Sequence, residues 1–359
     1  MSARPYVVPV FLPHAGCPHR CVFCDQRAIT GDRRETPDPE AVLAEWLARP
    51  RNPDRPVQLA FYGGNFLGIP HPCIQTLLDF AERAVSEGRV QSIRFSTRPD
   101  TVLPDRLDRL GQLPISAVEL GAQSLDDAVL EATRRGHTAE DTESAVERLR
   151  RRNHPPGLQL MVGLPGETRE SVRETARRAL ALRPAMVRVY PTLVLRGSRL
   201  ETWMEDGRYA PLSLTEAEER AAILFRAFSE AGIPAARMGL QAGPDLEAAL
   251  VAGPYHPAFG YRVRSALFRE RAAEALSAAG PLPERVGLAV HPRRESELRG
   301  PGNRNIEILR RMFHSGGLTV LRDPDLPEDR VAVRAASADT LADAPATPNP
   351  HQPRPTTPV

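Results

Sequence analysis

Three cysteines stand within eight residues, Cys17-Pro-His-Arg-Cys21-Val-Phe23-Cys24, directly after the apolar run Tyr6-Val-Val-Pro-Val-Phe-Leu12. Deprotonated thiols at this spacing grip a soft metal ion or an iron-sulfur cluster. Loops of three and two residues make a poor disulfide framework in a long chain. Structural zinc takes four protein ligands, and His14 and His19 are the nearby candidates to complete a Cys3His site. A 4Fe-4S cluster on three thiolates would instead leave one iron open to an external ligand, an arrangement suited to catalysis. Both readings stand on the cysteines alone. The fourth cysteine, Cys73, is isolated and reads as a small thiol of no special chemistry.

Composition narrows the chemistry further. The 359 residues carry 47 basic and 45 acidic side chains, a formal charge of +2 that does not itself call for nucleic acid. Every fixed side-chain cation is arginine, because the sequence contains no lysine; Schiff-base chemistry and a P-loop lysine are excluded. No apolar run approaches the roughly 20 residues that span a bilayer, and the N-terminus lacks a charged-then-apolar leader. The expectation is a globular cytoplasmic protein with no membrane partner.

The elements that must position the cysteines follow from periodicity. Short β-rich runs at Tyr6–Leu12, Val57–Tyr62, Ser92–Ser96, Ala117–Leu120, Leu158–Val162 and Met186–Tyr190 alternate with helical patterns at Pro39–Arg49, Ile74–Ser86, Thr138–Arg152 and Thr168–Leu182. Thr138 to Asp141 and Ser124 to Asp127 carry a hydroxyl followed three residues on by an acid, a helix start signal. Six such units, with no GxGxxG after the first strand, fit an α/β fold of the partial (β/α)6 TIM-barrel type. Its active site would lie at the C-terminal ends of the strands. The barrel is expected over residues 1–232, closing with a helix at Leu214–Gly232. A small C-terminal α/β extension is expected over 233–322, with strands at Arg285–Val290 and Leu318–Leu321 and a helix at Asn305–Phe313. From Asp323 the composition turns to Pro, Ala, Thr and Asp, and six prolines follow Ala344 with no aromatic residue; disorder is expected over 323–359.

Cys17-x3-Cys21-x-Phe23-Cys24 resembles the CxxxCxΦC signature of radical SAM enzymes, where Φ is aromatic. Further matches lie at the expected strand ends: Phe61-Tyr-Gly63-Gly64-Asn65-Phe66, Phe95-Ser96-Thr97-Arg98-Pro-Asp100, Val118-Glu119-Leu-Gly121-Ala-Gln123-Ser124, Arg135-Gly-His137-Thr138 and Val162-Gly163-Leu-Pro-Gly-Glu167. Together they look most like the elongator catalytic-subunit and oxygen-independent coproporphyrinogen-oxidase branch. The likeness covers about residues 5 to 200, and His256-Pro-Ala-Phe-Gly260 extends it more weakly.

The resemblance implies that Cys17, Cys21 and Cys24 hold a 4Fe-4S cluster whose open iron binds S-adenosylmethionine. Reduction by a donor such as reduced flavodoxin or ferredoxin would then release a 5'-deoxyadenosyl radical. It implies that Gly63, Gly64 and Asn65 meet the methionine amine, that Ser96 and Thr97 contact the ribose, and that Arg135 pairs with the carboxylate through its guanidinium fork. Glu119 and Gln123 share a face by alternation and would line the barrel interior and hold S-adenosylmethionine; a buried Glu calls for a functional role or a partner such as Arg98. Val162 and Gly163 would pack on the adenine and offer backbone hydrogen bonds, whereas Glu167 beside Thr168 reads as a helix start. His137 and Tyr190 stand near strand ends, where a structural role is the simpler reading.

The substrate is less legible. The elongator likeness suggests a tRNA base, and arginine runs at Arg148 to Arg152, Arg293-Arg294 and Arg310-Arg311 could meet phosphates. Full members of that group carry an acetyltransferase domain, for which the expected extension is too short and has no motif. The alternatives are a radical SAM oxidase or transferase acting on a small molecule and, from another class, a non-catalytic zinc-binding or RNA-binding protein.

Overall fold

The structure, a computed structural model, describes residues 5–18, 20–30, 37–283, 285–315 and 317–335. The chain forms two compact units, Met1–Val263 and Arg264–Val359. Among the described residues, the first unit is built on seven parallel strands: β1 Tyr6–Leu12, β2 Val57–Gly63, β3 Ser92–Thr97, β4 Ile115–Gln123, β5 Pro156–Val162, β6 Met186–Pro191 and β8 Ala235–Met238. They lie in the order β1-β2-β3-β4-β5-β6-β8 and curl into a half-barrel, the partial TIM-type barrel expected from the sequence. Between β6 and β8, β7 (Val194–Leu195) pairs antiparallel with β9 (Leu250–Ala252).

Alternation along each strand sorts the side chains. Val8, Val10 and Leu12 of β1, Leu59 and Phe61 of β2, and Ile93 and Phe95 of β3 are buried on one face. The other face carries polar residues, and the parallel register sets Ser96 opposite Glu119 and Gln159 opposite Arg188. The helices start where hydroxyls and acids satisfy free N–H groups. Thr138 and Asp141 form a reciprocal capping box before Ala139–Arg151, and Asp38 caps Pro39–Leu47. The expected cap at Ser124 is instead supplied by Asp126, whose carboxylate accepts from Ala128 and Val129 N–H.

Two expected boundaries move. The seventh strand, β8, lies in the segment assigned to the extension; four residues with two alanines carry almost no strand signal, and their pairing with β6 recruits them. The tail, read as disordered from Asp323, first forms β12 (Val331–Ala335), which pairs antiparallel with β10 (Arg285–Val290). The expected disorder of 336–359 falls outside the described residues.

In the second unit β11 (Gly317–Arg322) lies parallel on the other side of β10, giving the order β11-β10-β12. Phe268, Leu276, Val286, Leu288, Ile306 and Leu309 belong to its core. Asn305, buried on the helix Arg304–Met312, donates to the carbonyls of Ser265 and Glu297 at 2.8 and 3.1 Å.

The turn after β5 is locked from two sides. Gly163 has φ +82°, its N–H donates to Glu167 Oε1 at 2.7 Å, and its carbonyl accepts from the Tyr209 hydroxyl at 2.7 Å. Arg220 pairs with the same Glu167 carboxylate at 2.9 Å and donates to its carbonyl. Glu167 is therefore a buried clamp of the turn rather than a helix start, and Thr168 caps the following helix with Ser171. Tyr209→Phe leaves a buried carbonyl without its donor and is expected to cost about 1–3 kcal/mol. Denaturant unfolding should show a lower midpoint with an unchanged slope.

Candidate active site

The cysteine loop leaves β1 at its C-terminal end and is pressed against the loop that follows β2. Gly64 N–H donates to Leu12 O at 3.0 Å, Asn65 N–H to Ala15 O at 2.7 Å, and Asn65 Nδ2 to Gly16 O at 2.8 Å. No Cβ fits between the two backbones: one on Gly64 would lie 2.2 Å from Ala15 O, and one on Gly16 2.2 Å from Asn65 O. Phe66 anchors the lower loop by stacking between Phe61 and Phe95, with centroids 4.9 and 4.8 Å away. The far side of the cysteine loop is tied down by Val22, whose N–H donates to Thr133 O and whose carbonyl accepts from Leu200 N. Phe23 packs in the cluster of Val22, Val194, Leu200 and Tyr209.

Asn65 is the hub of this clamp. It is fully buried, and its Oδ1 accepts from Thr97 Oγ1, Arg98 N and Thr101 Oγ1 at 2.7, 2.9 and 2.7 Å. Thr97 Oγ1 also accepts from Leu67 N at 3.2 Å. Asn65 and Thr97, expected at the methionine amine and the ribose, use these polar atoms to join β3 to the cysteine loop. Gly63 and Gly64 likewise admit the chain's own backbone: Gly63, at φ +111°, would set a Cβ 3.0 Å from Leu12 O. Arg98 closes on Asp100 through two contacts of 2.9 and 3.0 Å and does not partner Glu119.

Glu119 sits instead between two guanidiniums that sequence reading missed. Its carboxylate meets Arg94 Nη2 at 2.6 Å and Arg188 Nε at 2.6 Å, with its own side chain 3 % exposed. Arg188 also donates to the Tyr62 hydroxyl at 2.9 Å and the Tyr190 hydroxyl at 3.1 Å. Burial, followed by the Glu119 charge, pushes the Tyr62 phenol up to about 12. The signal for Arg94 and Arg188 was available: each stands two residues before a named candidate, Ser96 and Tyr190, and so shares its face. Gln123, at φ +67° beyond a register shift in β4, accepts from Gln159 at 3.4 Å. Val162 is buried and its carbonyl accepts from Thr192 N at 2.9 Å. With Gly163 locked by Glu167 and Tyr209, the backbone of the β5 turn expected to meet adenine is held in one conformation. Ser96 remains on the barrel-interior face, and His137 is buried.

The thiols make a consistent donor set. Burial raises the Cys17 thiol, and burial followed by the neighbouring Cys21 and Cys17 pushes the Cys24 thiol up to about 12. Burial and the charge of neighbouring thiols both oppose ionisation, so a positively charged metal centre would be needed to hold them deprotonated. Arg135 Nη1 stands 3.1 Å from Cys21 Sγ, while Nη2 donates to Gly121 O at 2.6 Å. Among the described residues no three His, Cys, Asp or Glu side chains converge as a single ion requires. Three thiolates at x3 and x2 spacing fit a cluster that keeps one iron open to an external ligand. His14, one candidate fourth zinc ligand, accepts from Gln26 N at 3.3 Å through Nε2. His19, the other, lies outside the described residues.

Two family models match consecutive parts of the chain: the radical SAM superfamily over residues 11–179 and the radical SAM C-terminal domain over 184–269. The chain belongs to the radical SAM superfamily and is a radical SAM enzyme, whose family cofactors are a 4Fe-4S cluster and S-adenosylmethionine. It is 28 % identical over 231 residues to a tRNA uridine(34) acetyltransferase of Dehalococcoides mccartyi, covering 54 % of this chain and 50 % of that one. An uncharacterized protein of Methanocaldococcus jannaschii is 26 % identical over 209 residues, covering 55 % of this chain and 64 % of that one. The chain thus spans about half to two thirds of these curated relatives. An archaeal Elp3 from Methanocaldococcus infernus, with its N-terminus deleted, shares the fold at a TM-score of 0.59 and 21 % identity, over 80 % of this chain and 71 % of that one.

Two substitutions test the clamp and the interior network. Asn65→Ala strands several buried groups at once, each worth about 1–3 kcal/mol, and should lower the unfolding midpoint of the iron-free protein. If Asn65 served S-adenosylmethionine instead, that midpoint would hold while ligand affinity fell. Glu119→Gln leaves two guanidiniums facing each other and should cost about 3–5 kcal/mol in equilibrium unfolding. An unchanged midpoint would show that the network carries little stability.

Proposed function

We propose that Cys17, Cys21 and Cys24 hold the 4Fe-4S cluster and that the enzyme modifies a base of tRNA. The observation that carries the cluster assignment is a set of three free thiols beyond β1, Cys21 buried and Cys17 and Cys24 half-buried, with the Arg135 guanidinium on Cys21. Cys17, Cys21 and Cys24 would hold the cluster, and a cluster reduced by a flavodoxin- or ferredoxin-type donor would supply the electron for reductive cleavage of S-adenosylmethionine. The chain's own part is positional. The Gly64–Asn65 clamp holds the cysteine loop at the C-terminal ends of the strands, and the Arg94–Glu119–Arg188 wall gives the interior a fixed polar lining.

The tRNA reading is supported by relatives named as tRNA uridine(34) acetyltransferases. The arginine runs do not add to it. Arg148 donates to Val102 O and Arg150 to the carbonyls of Leu182 and Arg183, while Arg151 pairs with Glu147 and Arg152 with Asp108. Arg293 and Arg294 share Glu328, Arg310 donates to Leu318 O, and Arg311 lies 3.8 Å from Glu307. These contacts are the ordinary work of helix ends and loop closure. They favour a second reading, in which the substrate is a small molecule held inside the barrel.

Anaerobic reconstitution should give a brown protein with matching iron and sulfide that releases 5'-deoxyadenosine from S-adenosylmethionine under reduction. Cys21→Ser should abolish both colour and cleavage; retained cleavage would refute the ligand assignment. Because buried thiols must lose protons to bind metal, loading should improve as pH rises from about 6.5 to 8.5. Nucleoside mass spectrometry of tRNA from a strain lacking the gene separates the substrates: a missing modified base supports tRNA, and an unchanged profile supports the small molecule.

A further inference from the structure

Several features deliver the guanidinium of Arg135 to Cys21. Arg135 is buried, and it lies between Arg134 at φ +52° and Gly136 at φ +70°, so the chain turns sharply on both sides of it. Its N–H is fixed to Leu130 O at 2.9 Å, and two residues earlier the Thr133 carbonyl accepts from Val22 N, next to Cys21. The site is also hollowed out for it: a Cβ on Gly121 would stand 2.8 Å from Arg135 Nη2, where that nitrogen now donates to the Gly121 carbonyl. The other arm of the fork, Nη1, is 3.1 Å from Cys21 Sγ.

We propose that Arg135 is a positioning residue for electron entry, donating a charge-assisted hydrogen bond to the Cys21 sulfur and raising the reduction potential of the cluster that the three cysteines hold. The inference rests on the cluster assignment above and goes beyond the expected pairing of Arg135 with the S-adenosylmethionine carboxylate. The physical reason is charge. When the cluster takes one electron from a reduced flavodoxin- or ferredoxin-type donor, it gains one negative charge and no bond is made or broken. A cation hydrogen-bonded to a ligand sulfur in a buried site favours the reduced form more than the oxidised one. Gly121 then acts through Arg135, as the gap that allows the fork to reach across.

The test is a redox titration followed by electron paramagnetic resonance, on the anaerobically reconstituted full chain without S-adenosylmethionine. Arg135→Gln should disfavour one-electron reduction by about tenfold, a shift of about 59 mV to more negative potential. Arg135→Lys should keep most of the wild-type value, and Gly121→Ala, which displaces the fork while retaining the charge on the chain, should fall between. Wild-type protein without an iron-sulfur signal would refute the cluster assignment. A wild-type cluster whose potential is the same in Arg135→Gln would refute only this inference, and a loss of S-adenosylmethionine affinity alone would return Arg135 to the carboxylate. If Arg135→Gln fails to hold a cluster, retention in Arg135→Lys supports the charge at sulfur, and equal loss in both overturns it.

Discussion

The backbone-to-backbone contact between the loop after β1 and the loop after β2 is the constraint on which the site depends. Two parallel strands end side by side, and the chain leaving each must turn over the mouth of the barrel without leaving buried peptide groups unpaired. Here the two turns satisfy each other through Leu12, Ala15 and Gly16 on one side and Gly64 and Asn65 on the other. The separation allows no side chain at Gly16 or Gly64. A cysteine loop held in this way is short of freedom, so its thiols need not be gathered from a wide ensemble before they bind iron.

Around that contact the polar groups fall into two separate systems. On the side buried against the helices, Asn65, Thr97, Thr101 and the Arg98 N–H form a hub that belongs to the architecture. Inside the barrel, Arg94, Glu119, Arg188, Tyr62 and Tyr190 form a charged wall, with two cations to one carboxylate. Arg135 reaches a third place, where its guanidinium donates to the Cys21 sulfur and the Gly121 carbonyl. Residues close in sequence, such as Arg94 and Thr97, thus serve different systems because a strand turns alternate side chains to opposite faces.

Much of the fold was legible because six strands and their intervening helices carry strong, long periodic signals. β8 and β12 were not, for opposite reasons. Ala235 to Met238 has too little β-branched character to register, while Val331-Ala-Val-Arg-Ala335 alternates well within a Pro- and Asp-rich context that suggested disorder. At the site, the motif residues were found by their types, but the internal contacts that several of them make were not legible. A glycine or an asparagine beside a cysteine loop has the same sequence signature whether it makes room for a cofactor or for another stretch of backbone.

The sequence by itself determined the chemistry on offer: three thiols at x3 and x2 spacing, no lysine anywhere, and strands whose ends carry the polar residues. These follow from residue type and local spacing, which need no knowledge of what lies across the barrel. Only the tertiary structure decided which polar atoms were left over for that chemistry. Glu119 lies 25 residues from Arg94 and 69 from Arg188, and Arg135 lies 114 residues from Cys21. Pairings at such distances are set by strand order and register, quantities that no single segment contains.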